Sequence, residues 1–362
     1  MYTKRNYSLK DMVKWTQKDT FKYIIIAIIP VTLYEVFGLK WLHLPWLPIA
    51  LIGTAVAFLV SFKNNASYDR LWEARKIWGG IVNTSRSFSM LVNNYITNSE
   101  KTNVSDHQLQ EIKKTIINRH IAWMTAHRYA LRQSKPWEVF LDNHSGKEFL
   151  NFYKVDEFIT PFEDAIKPYL SKNEYIQIQN KRSAASQILK LQSDHLKMIK
   201  EEGLIWEFSY LELEQLVVEM FTLQGKNERI KNFPYPRQFA TLNLFIVWIF
   251  ILFLPFGIMN EFDKIGIELL NLSNTNDISI FNRIHQFVSR NFVWASVPFT
   301  VIVTWVFHTM ERIGEVSENP FEGTANDIPI TTMSRDIEID ILEIIGESDL
   351  PKSIPMTNGI QM

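Results

Sequence analysis

One uninterrupted apolar stretch constrains this chain more than any other feature. Residues 239–259 read FATLNLFIVWIFILFLPFGIM and contain no charged side chain. A helix needs about 20 mostly apolar residues to cross the ~30 Å hydrocarbon core of a bilayer. The alternative, a buried helix of a soluble protein, usually has a shorter apolar stretch of about 10 to 14 residues. The stretch therefore predicts a membrane-spanning helix.

Three further stretches are typical of membrane spans and lie near the two ends of the chain. They are residues 21–38, which include Pro30, residues 47–62, and residues 292–310, which include Pro298. The stretch at 47–62 is the weakest because it is short and rich in small residues. The tryptophans in the connector before it suit an interfacial aromatic belt, which supports its membrane assignment. We therefore expect an all-α integral membrane protein with four membrane helices.

Composition excludes several classes of function. The 362 residues carry a formal net charge of −1, which provides no general attraction to nucleic acid. The absence of cysteine excludes disulfides, thiolate nucleophiles and cysteine-ligated metal sites. The sequence also lacks the Walker, GxGxxG, GxSxG and HExxH patterns. We therefore expect neither an enzyme nor a bound cofactor.

The distribution of basic residues predicts the orientation in the membrane. Residues 1–20 form a basic, amphipathic arm that we expect to lie at the membrane surface. The segment after the second span is also basic, whereas the connector between the first two spans holds only Lys40. Basic flanks favour the cytoplasmic side, so both termini and the long middle segment are expected in the cytoplasm and the protein in the inner membrane. The connector at 260–291 is expected to face outward.

The long middle segment has the pattern of amphipathic helices rather than of membrane spans. Apolar residues recur there at spacings of three and four, as in Leu213, Leu216, Val217 and Met220. We expect a single body in which the membrane helices continue into a cytosolic helical bundle. Its parts are the arm at 1–20, the first two membrane helices at 21–62, the cytosolic helical region at 63–236, the last two membrane helices at 237–312 and the cytosolic tail at 313–362.

A specific motif follows the second predicted span directly. Residues 62–80 read FKNNASYDRLWEARKIWGG. This segment resembles the F-[RK]-N-x-A-S-Y-x-R-x-x-E-A-R-x-x-W-G signature of bacterial bestrophin homologues. Two further segments resemble elements of the same family in the same order, RIKNFPYPR at 229–237 and ENPFEGTANDIP at 318–329.

The resemblance implies a homopentamer around one central pore that passes monovalent ions. In this family a narrow hydrophobic neck is formed by the second membrane helix, at positions one, five and nine after a glycine. Counted from Gly53, these positions are Thr54, Phe58 and Phe62. Residues spaced by four lie on one helical face, so the three side chains would form stacked rings in a pentamer.

An apolar neck selects or gates ions by excluding water, since an ion must shed hydration or wait for the rings to move. Phenyl rings present a negative face to cations or a positive edge to anions. Thr54 makes the outer end of such a neck wetter. The alternative is that Phe58 and Phe62 pack against lipid or neighbouring helices, as most aromatic residues of membrane spans do.

The family also has a second constriction at the cytosolic exit, and we place it at residues 186–189 with Ile188 as the favoured residue. Eukaryotic members bind calcium through a run of adjacent acidic residues after the N-P-F-G element. Here Glu322 and Asp327 are separated by four residues, which departs from that pattern. We therefore expect no calcium site and interpret residues 318–327 as a structural turn.

Other polar residues are interpreted as structural. His308 with Glu311, and His120 with His127, share helical faces but lack further metal ligands. The charged cluster that begins at Asp69 has both signs, which indicates ion pairs between helices or subunits.

The function predicted from the sequence is a bestrophin-type ion channel, with chloride as the permeant ion of the family and monovalent cations as the alternative known among bacterial relatives. A membrane-embedded transporter and a non-conducting membrane scaffold are the competing hypotheses. The expected partners are the permeant ions, the lipid bilayer and further copies of the same chain.

Overall fold

The computed structural model describes residues 1–98, 104–138, 140, 144–272 and 279–362. In this part of the chain the structure is all-α, as predicted, and only isolated β-bridges near the two termini accompany the helices. The α-helices are α1 (Leu9–Glu35), α2 (Trp46–Tyr95), α3 (Asp106–Arg132), α4 (His144–Phe152), α5 (Asp156–Ile159), α6 (Phe162–Ile166), α7 (Lys172–Ile178), α8 (Ala184–Glu201), α9 (Glu207–Asn232), α10 (Arg237–Leu272), α11 (Ile280–Arg290), α12 (Ser296–Ser317) and α13 (Ile330–Ile344). Short 3-10 turns lie at Lys40–Leu42, Lys167–Tyr169 and Phe292–Ala295.

The chain divides into two compact units. The membrane unit comprises residues 5–68 and 235–318, and the helical unit comprises residues 1–4, 69–234 and 319–362. The boundary falls within α2, between Tyr68 and Asp69. The sequence predicts a single body with five parts, and the boundaries of those parts stay predictions.

In the part of the chain that the structure describes, three helices are long and apolar enough to cross a membrane. They are α2, α10, and the segment Phe292–Ser317 that contains α12. Each contains one of the spans predicted at 47–62, 239–259 and 292–310, and these three predictions are confirmed by length and composition. The apolar part of α1 is interrupted by Lys22 near its start and by Glu35 at its end, so the first span stays a prediction.

The membrane unit packs around α10. Ile251 and Leu254 of α10 have no exposed surface and belong to the same hydrophobic cluster as Val56 and Val60 of α2. A second cluster joins α1 to the C-terminal half of α10 through Tyr34 and other apolar residues. The first cluster packs one side of α2 against α10, and the side chains on the other side of α2 remain exposed.

The helical unit has its own core, built by α3, α8, α9, α13 and the C-terminal part of α2. Trp78 and Trp123 are completely buried there together with aliphatic side chains from every one of these helices. Helix α3 begins with a capping box, in which the hydroxyl of Ser105 accepts the backbone N–H of Gln108 and the side chain of Gln108 accepts the backbone N–H of Ser105. The amphipathic periodicity of the middle segment is thus realised as a helical bundle.

Candidate functional site

The three residues predicted from the second span lie on one exposed face of α2. Phe58 is 62% exposed and Phe62 is 66% exposed, although both are large apolar side chains. Thr54 is also exposed and lies one turn before Phe58. A row of exposed phenyl rings on a helix of membrane-spanning length needs a partner other than water, since apolar surface is stabilised by leaving water.

The opposite face of α2 is packed against α10 at two positions along the helix. A Cβ atom added at Gly53 would lie 2.8 Å from Cε2 of Phe250, so the absence of a side chain at Gly53 lets this ring approach the helix. Lower down, the side-chain amide of Asn243 donates to the carbonyl oxygen of Leu59 at 3.3 Å. The exposed row of Thr54, Phe58 and Phe62 is therefore held on a helix whose back is fixed.

Helix α12 fixes the same back face just beyond Phe62. The ammonium of Lys63 donates to Oε1 of Glu311 at 2.5 Å, and both side chains are buried. On the next turn of α12, a Cβ atom added at Gly314 would collide with Oδ1 of Asn64, so a larger residue there would require the Asn64 side chain to move. The two contacts anchor α2 directly below the inner end of the exposed row.

The exposed row carries no formal charge. The hydroxyl of Thr54 donates to the backbone carbonyl of Ala50 at 3.0 Å, so its proton is used within the helix and only its lone pairs remain for water. The first charged side chain after Trp46 along α2 is Lys63, which is paired with Glu311. The face is thus apolar at Phe58 and Phe62 and weakly polar at Thr54.

Two residues missed by the sequence reasoning extend this face toward the start of α2. Leu47 is 69% exposed and Leu51 is 64% exposed. They precede Phe58 by eleven and seven positions, about three and two helical turns, which places them on the same side of the helix. The helical spacing of these leucines was the signal that could have identified them.

The prediction that Ile188 lines a cytosolic aperture is wrong. Ile188 lies on α8 and has no exposed surface, because it belongs to the hydrophobic core of the helical unit. A side chain without exposed surface cannot line an opening. Among the described residues of this unit, the most exposed large apolar side chains are instead Trp206 and Phe208, at 79% and 76%, where α9 begins.

The segment that resembles the N-P-F-G element folds as a turn organised by Asp327. Its carboxylate accepts backbone N–H groups from Phe321 at 2.9 Å, from Gly323 at 2.7 Å and from Ile328 at 2.6 Å. The guanidinium of Arg132 donates to the same carboxylate at 2.9 Å. Asp327 is thus saturated by protein donors, which is the arrangement of a structural turn.

Glu322 in the same turn is a buried carboxyl with an unusual environment. Its side chain lies near Glu138 and Asp327, and the ammonium of Lys231 pairs with Glu138 at 2.5 Å. Oε1 of Glu322 has no hydrogen-bond partner in the described structure. Burial, reinforced by the two neighbouring carboxylates, raises the pKa of Glu322 to about 8.

The histidine pairs weighed as metal ligands have separate partners. Nδ1 of His308 lies 2.6 Å from the hydroxyl of Tyr23, whereas Glu311 pairs with Lys63. In the helical unit, Nε2 of His120 lies 2.9 Å from the hydroxyl of Ser85. In the same way, Nε2 of His127 lies 3.0 Å from the side-chain nitrogen of Asn227.

The charged cluster of the signature motif connects α2 to α9, as predicted for ion pairs between helices. Glu73 pairs with Arg229 at 2.6 Å. The guanidinium of Arg70 donates to the backbone carbonyls of Phe233 at 2.9 Å and Ile230 at 3.1 Å, which complete the C-terminal end of α9.

Comparison with known proteins places these features in a family. The chain matches the Bacterial/Fungal Bestrophin protein family over residues 13–271 and 287–343. The voltage-dependent anion channel-forming protein YneE of Salmonella typhi is 25% identical over 337 residues, which cover 92% of this chain and 88% of that protein. The voltage-dependent anion channel-forming protein RSc3414 of Ralstonia nicotianae is 25% identical over 317 residues, which cover 85% of this chain and 83% of that protein.

Solved structures agree with the sequence comparison at the level of the fold. The crystal structure of a bacterial bestrophin homologue from Klebsiella pneumoniae superposes with a TM-score of 0.68 and 19% sequence identity, covering 91% of this chain and 98% of that chain. The family match includes the whole of α2 with its exposed row and the turn around Asp327. The chain belongs to the bacterial and fungal bestrophin family.

Proposed function

We propose that this protein is an ion channel of the bestrophin type, in which five copies surround a pore and α2 of each copy lines its neck. The main support for this proposal is the exposed row of Thr54, Phe58 and Phe62 on a helix whose opposite face is fixed by α10 and α12. Five such rows facing one axis would make three stacked rings, and the phenyl rings would exclude water between ion passages. The channel-forming relatives support the same assignment.

The proposed channel lies in the inner membrane with both termini in the cytoplasm. Helix α1 supplies the first membrane helix and begins in the basic arm. The orientation is supported by the excess of lysine and arginine before the apolar part of α1 and in the part of α2 that follows its apolar stretch. The second constriction is proposed at the start of α9, because Trp206 and Phe208 are the apolar side chains with the exposure that Ile188 lacks.

Current through single channels of the purified, reconstituted protein tests the neck. We expect discrete conductance steps from the wild type and larger steps from the double variant with Phe58→Ala and Phe62→Ala, because the apolar rings are removed. The matched control is Phe245→Ala on α10, a phenylalanine with the same 62% exposure that is not on α2. This control should leave the step size unchanged.

The alternatives predict different results in the same recordings. A non-conducting scaffold gives no steps from the wild type, and a transporter gives solute flux without steps. Equal steps from the wild type and the double variant would show that Phe58 and Phe62 face lipid or other helices. Native mass spectrometry of the detergent-solubilised protein checks the five copies.

Selectivity between anions and cations is proposed to depend on the orientation of the phenyl rings, since the row has no formal charge. A positive ring edge toward the axis favours chloride, and a negative ring face favours monovalent cations. The relatives named as anion channels favour chloride. The sign of the reversal potential across a sodium chloride gradient decides between the two ions.

A further inference from the structure

Helix α11 is an amphipathic helix with its polarity inverted relative to a soluble protein. Its exposed side chains include Phe281 at 82%, Ile284 at 55% and Phe287 at 69%, whereas Ser289 is buried. Surface helices of soluble proteins bury their apolar stripe and expose their polar one. The outward apolar face of α11, defined as Ile280, Phe281, Ile284, Phe287 and Val288, therefore requires an apolar partner.

The spacing of these residues confirms that they form one continuous face. At about 100° per residue, the five side chains fall within one side of the helix. The polar side of α11 lies against α10, where a Cβ atom added at Gly266 would lie 2.7 Å from the carbonyl oxygen of Ser289. Gly266 thus permits a close approach that fixes which side of α11 points outward.

Two arginines lie along one edge of the outward apolar face. Arg283 and Arg290 are seven residues apart, so they lie on the same edge of the helix, and both are exposed. Within the described residues, neither guanidinium forms an ion pair with a carboxylate. An apolar face with a basic edge matches the boundary between acyl chains and the phosphate layer of a bilayer.

The place of α11 in the chain agrees with that environment. It lies between α10 and the segment Phe292–Ser317, two segments of membrane-spanning length and composition. The family match skips residues 272–286, which include the first half of α11. The first half of the helix therefore lies outside the part of the chain that matches the family.

We propose that α11 is an interfacial helix whose outward apolar face inserts between the acyl chains of the bilayer and whose arginines bind phosphate groups of anionic phospholipids. The α11 of a second copy is a less suitable occupant, because Ile280–Arg290 contains no carboxylate that could pair with the arginines. The proposal rests on the membrane placement of α10 and α12 and not on ion conduction, so its failure leaves the proposed channel standing.

Spin labelling tests the proposal directly, because the chain has no cysteine. Phe281→Cys and Ile284→Cys place labels on the outward apolar face, and Arg283→Cys places a matched label on the basic edge. The labelled full-length protein is reconstituted into phosphatidylglycerol vesicles, and collisions with oxygen and with a water-soluble nickel complex are measured. We expect the labels at 281 and 284 to collide mainly with oxygen and the label at 283 to collide more with nickel.

Two results would overturn the proposal. Frequent nickel collisions at 281 and 284 would place the face in water, and few collisions with either reagent would show that protein covers it. The phosphate contacts have their own test, the depth of the label at 281 in phosphatidylglycerol against phosphatidylcholine vesicles. The label should become shallower in phosphatidylcholine, and this difference should vanish when Arg283→Gln and Arg290→Gln are added; a depth independent of lipid charge would contradict binding by the arginines.

Discussion

Lys63 and Glu311 form an ion pair that is almost completely buried, with 2.5 Å between Nζ and Oε1 and side-chain exposures of 3% and 2%. The pair joins α2 to α12 one residue beyond Phe62, the inner end of the proposed neck. Burial in a low-dielectric surrounding makes each charge dependent on the other, because neither can be solvated alone. The pair therefore fixes the position of α2 where the proposed neck ends.

Removing one member of this pair should destabilise the protein far more than removing both. Lys63→Met or Glu311→Leu alone leaves an unpaired buried charge, and we expect a loss of about 3–5 kcal/mol in the free energy of unfolding. The double variant should recover most of that loss. Denaturant unfolding in detergent measures the effect, and Lys22→Met provides the control, because its pair with Asp19 is exposed on the lysine side and should be worth less than about 1 kcal/mol. Additive losses in the double variant would contradict the argument.

Adding a methyl group at Gly53 should disturb the packing that supports Thr54. The new Cβ atom would lie 2.8 Å from the ring of Phe250, which is itself buried and has little room to move. We expect Gly53→Ala to cost about 1–3 kcal/mol, as overpacked cores do. Gly79→Ala on the same helix is the control, since its nearest neighbour is the flexible end of Arg75 at 3.4 Å. In unfolding experiments this control should be neutral or more stable than the wild type.

Glu322 should make the stability of the protein fall as the pH rises. Its pKa is about 8 in the folded protein against 4.5 for an ordinary glutamate, so between these values the folded carboxyl holds a proton that the unfolded chain has lost. The stabilisation that comes from the protonated Glu322 carboxyl is complete below pH 4.5. It declines by at most about 1.4 kcal/mol per pH unit and is lost above pH 8.

The comparison with Glu322→Gln isolates this contribution, because the other titrating groups are the same in both proteins. Between pH 4.5 and 8, the free energy of unfolding of the variant should increase relative to that of the wild type. Above pH 8 the difference between the two proteins should stay constant. The same substitution at Glu343, an exposed carboxyl, controls for the change of residue type. A gap between variant and wild type that does not change with pH would show that Glu322 does not titrate in this window.

Local pattern is sufficient to predict the spans in α2, α10 and α12. The resemblance to the family singles out Thr54, Phe58 and Phe62, and their spacing of four predicts a shared helical face. Each depends on residues close together in the chain, through apolar length or helical spacing. The Lys63–Glu311 pair could not be predicted in this way, because 248 positions separate its members. The use of the row as a pore neck stays a prediction.

One error and one omission have identifiable physical causes. Periodicity shows which residues share a helical face but not whether that face is buried, so the sequence predicts Ile188 at an opening although it lies in the core. The sequence predicts a connector at 260–291 between the third and fourth spans, and the structure adds that α10 continues to Leu272 and that α11 begins at Ile280. The spacing of Phe281, Ile284 and Val288 was a readable signal for the second helix, and its inverted polarity required the structure.

Thr54 should determine how easily water enters the outer end of the proposed neck. Its hydroxyl proton is bonded to the carbonyl of Ala50, but its oxygen still accepts hydrogen bonds from water or from a hydrated cation. Thr54→Val keeps the shape and removes this oxygen, so the dry section defined by Phe58 and Phe62 becomes one turn longer. We expect a smaller single-channel conductance from this variant, because an ion must cross a longer dewetted section. Thr54→Ser keeps the oxygen and should retain the wild-type conductance, and equal currents from the valine and serine variants would mean that Thr54 lies outside the conduction path.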